Sequence, residues 1–499
     1  MTTSGPRPLR RGELLDRLRS TPDWDLIVVG GGATGLGVAL DATTRGLRTV
    51  LLEAGDFAQG ASSRSTKLIH GGVRYLAQGN FALVRESLRE RGQLLRNAPA
   101  GLVRRLGFVM PCYGWAELAY YTAGLKLYDA LAGPLGLEPS QRLGPAEVMR
   151  EAPSLRHRDP TGRSLKGGIL YFDGQFDDAR LAISLMRTIH VHGGLALNGC
   201  PVTGFLRNAG TIIGVTAQEA GSGEAFRLTS RAVVNATGAW GDALRRLDDP
   251  AVARLLAPSQ GTHLVLDGSF LGADRAIMQP RSRDGRVLFC LPWMGRTLVG
   301  TTDTPLTEPP ADPGPLPGEV DFLLAGAGEL LVRVPTQADI RASFSGLRPL
   351  VRRSGQQPTA SLSRDHHILC ASSGLITIAG GKWTTYRRMA EDVVDTVLRD
   401  LGGPWRSAVT ADLRLEPLDY GPDASPRLHP DFPWTEQDVT NACAFELARS
   451  ADDVLLRRTR LGMVDAEAAR AVGPNVAELI ARAQAADQPG VPKPSQYQL

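Results

Sequence analysis

The 499-residue sequence predicts a two-layer α/β protein, with a parallel βαβ core, a separate antiparallel sheet and a helical C-terminal part. Three observations predict it. Near the N-terminus an apolar run, Asp25 to Gly30, passes through a glycine cluster into an apolar helical stretch and then a second apolar run. Between about Gly261 and Thr304, short β-rich runs separated by turn residues read as hairpins. From about Leu401 the chain turns to proline-rich connections and charged, helix-forming stretches such as DAEAARAVGPNVAELIARAQ.

In chain order, residues 1–23 form a polar, basic lead. DLIVVG then reads as a buried strand, Thr34 to Arg45 as a helix, and Arg48 to Glu53 as the next strand. Strand, turn, helix and strand within some thirty residues imply parallel pairing with a right-handed crossover. Asn80 to Leu137 reads as helix-rich, with Ala116 to Leu131 an apolar helix pair buried against the rest or resting on a lipid surface. Pro139 to Pro160 reads as a surface connection. Arg231 to Gly241 (RAVVNATGAWG) is a strand running into a glycine turn, returning to the first sheet. THLVLDG, RVLFCLPW and TLVGTTD form the antiparallel layer. Leu375 to Ala379 is a last buried strand, turned at Gly380 and Gly381 into a helix that reaches about Leu398. The expected organisation is 24–400 as a discontinuous core with an inserted cap, 401–485 as the helical part, and 486–499 as a disordered tail.

Composition narrows the function. The chain carries a net charge of +4 from mixed signs, without the long basic run of a nucleic-acid arm. The arginine pairs Arg10-Arg11, Arg104-Arg105, Arg352-Arg353 and Arg457-Arg458 read as solvated faces. Five scattered cysteines without a CxxC pair suggest neither disulfides nor zinc, and His366-His367 lacks the spacing of a metal site. No run approaches the ~20 apolar residues of a spanning helix, which leads us to expect a soluble or peripherally attached protein.

Gly30, Gly32 and Gly35 form GxGxxG, and Glu53 follows 23 residues after the first glycine. The glycines suit a tight turn, close approach of a pyrophosphate, and close helix packing. The helix N-terminus offers free N–H groups, and Glu53 can accept from ribose hydroxyls. The motif predicts a dinucleotide and leaves NAD and FAD open. Arg348, between Leu347 and Pro349, has an unusual setting for a surface arginine and can meet a phosphate at two points or pair with a carboxylate such as Asp365. His263 sits in a strand-like run and can face a cavity or solvent.

Six blocks carry a resemblance: Gly30 to Gly37, Ser62 to Leu76 (SSRSTKLIHGGVRYL), Asn235 to Trp240, Pro292 to Asp303, Ser345 to Leu350 (SGLRPL) and Gly380 to Arg387 (GGKWTTYR). In order and spacing the chain resembles the FAD-dependent glycerol-3-phosphate dehydrogenases over about residues 24–400, and RRTRL (Arg457 to Leu461) resembles their helical domain. Arg64 and Thr66 fall in variable slots of the flavin loop. The resemblance implies a Rossmann-like FAD-binding domain of the amino-acid oxidase type, an antiparallel-sheet substrate cap and a C-terminal helical domain.

It implies FAD bound by Gly30, Gly31, Gly32, Thr34, Gly35, Glu53, Ala54, Ser62, Ser63, Lys67, His70, Gly71, Gly72, Gly238, Gly380, Gly381 and Lys382. Arg74, Tyr75, His263, Arg348, Arg364 and Lys382 are the residues it implies for glycerol 3-phosphate. Arg348 would meet the phosphate, Lys382 the reduced flavin's negative charge, and His263 the hydroxyl proton. It further implies a quinone acceptor and a cytoplasmic location, with peripheral attachment at the inner face of the cell membrane. Three alternatives stand beside this reading: a glycerol-3-phosphate oxidase using O2, a catalytically silent flavin-binding redox module, and a flavin enzyme of the amino-acid oxidase superfamily acting on another 2-hydroxy or amino acid. Oligomeric state is not legible.

Overall fold

A computed structural model describes residues 6–77, 79–281, 285, 287–352, 365–402 and 406–486. The expected tail, 486–499, lies outside the described residues apart from its first. Two mixed sheets organise the molecule, one of eight strands and one of ten.

In the first sheet the strands Leu375–Gly380, Ala225–Asn235, Asp23–Val29, Thr49–Leu52 and Leu195–Leu197 run parallel in that spatial order. The central run Leu26 to Val29 is buried between helices on both faces, which is why it carries no polar alternation. The helix Ala33–Thr44 joins Asp23–Val29 to Thr49–Leu52 and packs on the helices Asp178–Val191 and Tyr386–Leu401. A Cβ at Gly37 of the first helix would lie 2.9 Å from the Tyr386 ring, so contact at this crossing demands glycine. As expected, the chain returns to this sheet at Ala225–Asn235, and the last buried strand, Leu375–Gly380, joins it as well.

The second sheet centres on Leu256–Asp267, antiparallel to Arg296–Gly300 on one side and to Ile340–Val351 on the other. Leu288–Trp293 and Arg296–Gly300 form the expected hairpin. One face packs on the helix Pro317–Leu330 through Leu323 and Ala327. The other meets the C-terminal helices Glu436–Glu446 and Ala466–Ala486 through Val439, Val476 and Ile480.

Four expectations are corrected. The helix-rich stretch contains a ten-residue strand, Val103–Cys112, paired along its whole length with Gly167–Phe176. Pro139 to Pro160 contains the strand Gln141–Leu143 and the helix Pro145–Glu151. The apolar pair is one helix, Trp115–Ala132, which buries Leu118, Leu125 and Tyr128 and exposes Trp115, Tyr120 and Leu127. Arg457 and Arg458 are buried rather than solvated, and Arg11 is largely covered against Glu219. The five cysteines are free thiols. Among the described residues no helix is long and apolar enough to cross a membrane, and no cluster suits a metal ion.

Candidate active site

A cavity of about 770 Å3 opens at the carboxyl ends of the parallel strands, where the connections reverse direction. Gly30, Gly32, Thr34, Glu53, Ala54, Ser62, Gly238, Gly380, Gly381 and Lys382 line it. The glycine turn is tight because atoms surround it: a Cβ at Gly30 would lie 2.7 Å from the Ala236 carbonyl oxygen, and at Gly35 1.9 Å from that of Gly30. Gly35 therefore serves close packing and lies behind the cavity wall. Glu53 accepts from Gly31 N–H at 2.6 Å through Oε2 and from Gly55 N–H at 2.8 Å through Oε1. Each oxygen keeps a second lone pair, so the anchored carboxylate can still receive a pair of ribose hydroxyls. Glu53→Ala is expected to raise the FAD dissociation constant at least about a hundred-fold, since two charge-assisted bonds at about 1.5–3 kcal/mol each are lost; equilibrium dialysis of the apoprotein checks it.

The flavin loop and the late turn are laced together. Trp383 Nε1 donates to the Ser62 carbonyl at 2.9 Å, and His70 N–H to Thr384 Oγ1 at 3.2 Å. Gly71 N–H donates to the Tyr128 hydroxyl at 2.7 Å, and Gly72 adopts φ +81° with the Tyr75 ring where a Cβ would stand. Lys382 Nζ lies 4.4 Å over the Tyr75 ring and donates to Ser87 Oγ at 3.2 Å. Lys382 and Tyr75 are thus brought together.

Lys67 differs from its expected role of facing the cofactor. Its Nζ is fully buried, donating to the Ser63 carbonyl at 2.6 Å and to Asp178 at 2.8 Å. Burial and the neighbouring Arg460 pull its ammonium down to about 7 in spite of Asp178. Lys67 and Ser63 shape the loop from beneath.

On the second sheet, Arg348 lies opposite Ser259 and His263 opposite Phe344. Side chains alternate along a strand, so Ser259, Gly261, His263 and Arg348 share one face. The Arg348 guanidinium lies across Gly261, where a Cβ would come within 2.3 Å of it. It donates to Asp303 at 3.2 Å, Thr301 Oγ1 at 3.0 Å and the Thr302 carbonyl at 2.9 Å; its carboxylate is Asp303 of the GTTD block, where Asp365 had been the expected alternative. Glu319 accepts from Thr262, Thr302 and Thr304 at 2.6–2.8 Å and so fixes the backbone that holds Arg348.

His263 is buried, with its ring stacked 5.0 Å from that of Phe344 and Nε2 2.9 Å from Thr66 Oγ1. Burial, then the charges of Lys67 and Arg348, hold its pKa well below the ordinary histidine value, so the ring is neutral. Its Nδ1 has no hydrogen-bond partner among the described residues. The Arg74 side chain and all of Arg364 lie outside the described residues. Sequence reasoning missed Thr66, Trp383, Asp178 and Asp56. Trp383 stood in a quoted block, and Asp177-Asp178 reads as a helix cap, which Asp177 is, but burial of its neighbour leaves no sequence signal.

The cavity at strand ends, the glycine turn beneath it and the anchored acid fit FAD and define a flavin-dependent oxidoreductase. The FAD-dependent oxidoreductase family model matches residues 25–387, and the model for the C-terminal domain of alpha-glycerophosphate oxidase matches 378–489. The chain is 37% identical to a probable mitochondrial glycerol-3-phosphate dehydrogenase of Caenorhabditis elegans, over 94% of this chain and 72% of that one. It is 36% identical to the mitochondrial glycerol-3-phosphate dehydrogenase of Homo sapiens, over 95% and 72%. The crystal structure of glycerol-3-phosphate dehydrogenase from Bacillus halodurans, complexed with FAD, superposes with a TM-score of 0.71 at 27% identity, covering 95% of this chain and 96% of that one. This chain belongs to the FAD-dependent glycerol-3-phosphate dehydrogenase family, and its cofactor is FAD.

Proposed function

We propose that the protein oxidises sn-glycerol 3-phosphate to dihydroxyacetone phosphate and passes the electrons to a membrane quinone. The observation that carries the substrate reading is the shared face of Arg348 and His263, a braced guanidinium beside a neutral imidazole. Bound FAD supplies the hydride acceptor. Arg348 receives the phosphate, with Arg74 and Arg364 as further cations. Lys382, on the cavity wall, offsets negative charge that accumulates during reduction. His263 takes the hydroxyl proton, its orientation held by Thr66. The boundaries that go with this reading are 24–400 for the cofactor and substrate part and 401–485 for the helical part.

His263→Asn is expected to lower kcat about a hundred-fold or more with FAD content unchanged, the scale of a positioned general base. Because the folded imidazole is neutral well below its ordinary range, wild-type kcat/KM is expected to stay flat down through pH 6.5. A wild-type acidic limb centred at 6.5 or above would assign the proton to another group.

The helix Trp115–Ala132 supports attachment to a bilayer surface: Trp115 and Tyr120, each about three-fifths exposed, and Leu127 share its outer side with Lys126. Trp115→Ser/Tyr120→Ser is expected to reduce cosedimentation with anionic phospholipid vesicles several-fold.

The deciding experiment is anaerobic mixing of the holoprotein with sn-glycerol 3-phosphate, followed at the oxidised-flavin absorbance band. Bleaching that a quinone analogue reverses faster than air supports the dehydrogenase. Reversal fastest by oxygen assigns an oxidase, and no bleaching removes the substrate assignment.

A further inference from the structure

We propose that the segment Asp453–Arg460 of the helical C-terminal part is a clasp on both cofactor loops, making Arg457, Arg458 and Arg460 positioning residues for FAD.

The first loop, Ala54 to Ser62, supplies a long stretch of cavity wall: Ala54, Gly55, Gln59, Gly60, Ala61 and Ser62. Its backbone is tied to the glycine turn by Ala58 N–H donating to the Gly31 carbonyl at 2.9 Å. At its centre Asp56 turns away from the cavity into the protein, where it is 2% exposed. Arg457 Nε donates to Asp56 Oδ2 at 2.5 Å, and Arg458 donates to its two oxygens at 2.7 and 2.9 Å. Asn198 Nδ2 adds a bond at 3.0 Å. Against the cost of burial, Arg458 and Arg457 hold the Asp56 carboxyl down to about 2, so it stays ionised and bound across the physiological range.

The second loop, Ser62 to Gly72, is gripped by Arg460. Its guanidinium donates to the Ser63 carbonyl at 2.8 Å and to Asp178 at 2.9 Å, beside Lys67 and the Ser65 hydroxyl on the same carboxylate. Three residues of one segment therefore reach loops some four hundred positions earlier. The segment is itself braced. Arg457 donates to Asp453 at 2.6 Å, Arg458 to the Glu446 carbonyl at 2.9 Å, and Arg180 clamps the Glu446 carboxylate at 2.6 and 2.8 Å.

Two features separate a clasp from general adhesion between the parts. A π-helical turn, Asp453–Arg458, presents the consecutive Arg457 and Arg458 to one carboxylate. Arg460 then adopts φ +69° although it is not glycine and is fully buried. A left-handed arginine is strained and persists where its surroundings over-determine it, a condition met mostly at functional positions.

The test uses full-length apoprotein refilled with FAD, comparing Arg458→Met and Asp56→Asn with Arg296→Met. Arg296 pairs with Asp465 at 3.1 Å and so also joins the C-terminal part to the rest, away from the cofactor loops. Flavin-fluorescence titration is expected to give an FAD dissociation constant raised at least ten-fold in Arg458→Met and in Asp56→Asn, with the double variant no worse than the poorer single one. Arg296→Met is expected to bind FAD as the wild type does. Should Arg458→Met not fold, Asp56→Asn carries the comparison alone. The proposal is overturned if FAD affinity stays within two-fold in the clasp variants, or if Arg296→Met loses as much. Because the readout contains no substrate, it stands apart from the glycerol 3-phosphate assignment.

Discussion

Replacing Arg348 by methionine is expected to raise KM for sn-glycerol 3-phosphate about a hundred- to a thousand-fold while leaving FAD content and the flavin spectrum as they are. Truncating one partner of a desolvated charge pair costs about 2–5 kcal/mol, and each 1.4 kcal/mol is a factor of ten. The spectrum should hold because Arg348 is outside the cavity lining, although its neighbours Leu347 and Pro349 belong to it. Arg348→Lys should recover little, since a lysine cannot hold Thr301 and the Thr302 carbonyl while meeting a phosphate at two points. Steady-state kinetics with inorganic phosphate as competitor checks the assignment. A KM that rises while phosphate inhibits as in the wild type would show that Arg348 acts on something other than the phosphate.

The second large effect is on stability. Asp178→Ala leaves Lys67 and Arg460, both fully buried, without their shared carboxylate. Removing one partner of a buried ion cluster costs about 3–5 kcal/mol, visible as a lower urea midpoint at unchanged m-value. The deficit should depend on pH in a defined direction. In the wild type Lys67 has its pKa lowered to about 7, and loss of Asp178 removes an interaction that raises it, so the variant's value falls further. Between the two values the variant's folded state has already shed a proton that the wild type retains. The deficit is therefore greatest in acid, shrinks as pH rises to about 7, and is level above it. A deficit that grows toward pH 7 would contradict the cluster described for the flavin loop.

The βαβ unit, its acid, and the returning strands at Ala225–Asn235 and Leu375–Gly380 were legible because each depends on local chemistry, glycine at a tight turn or a short apolar run in a buried parallel sheet. The strand Val103–Cys112 was not. Its sequence, VRRLGFVMPC, begins with two exposed arginines and ends near a proline, and its identity is fixed by ten paired residues of Gly167–Phe176 lying sixty positions away. At the site the types were legible and the partners were not. Arg348 stood out between apolar neighbours, yet nothing local indicates Asp303 over Asp365. Arg457, Arg458 and Arg460 resemble a solvated basic run until Asp56 and Asp178 are placed against them, because charge alone does not say which side of a helix will be covered.

The order in which the cofactor sheet is assembled bears on how the protein is made. Asp23–Val29 sits in the middle of its sheet, flanked by Thr49–Leu52 from nearby sequence and by Ala225–Asn235 from two hundred residues later, with Leu375–Gly380 beyond that and Arg457 to Arg460 closing the loops last. At a ribosomal rate of roughly 5–20 residues per second, the first glycine turn is made about 20–90 s before the arginines that secure its neighbours. For roughly the first 10–40 s of that interval, until Ala225–Asn235 is made, the nascent chain carries an apolar central strand with one of its edges open, a state that invites pairing with other chains. The sheet's topology thus leaves its most apolar strand half covered until a segment two hundred residues away completes it.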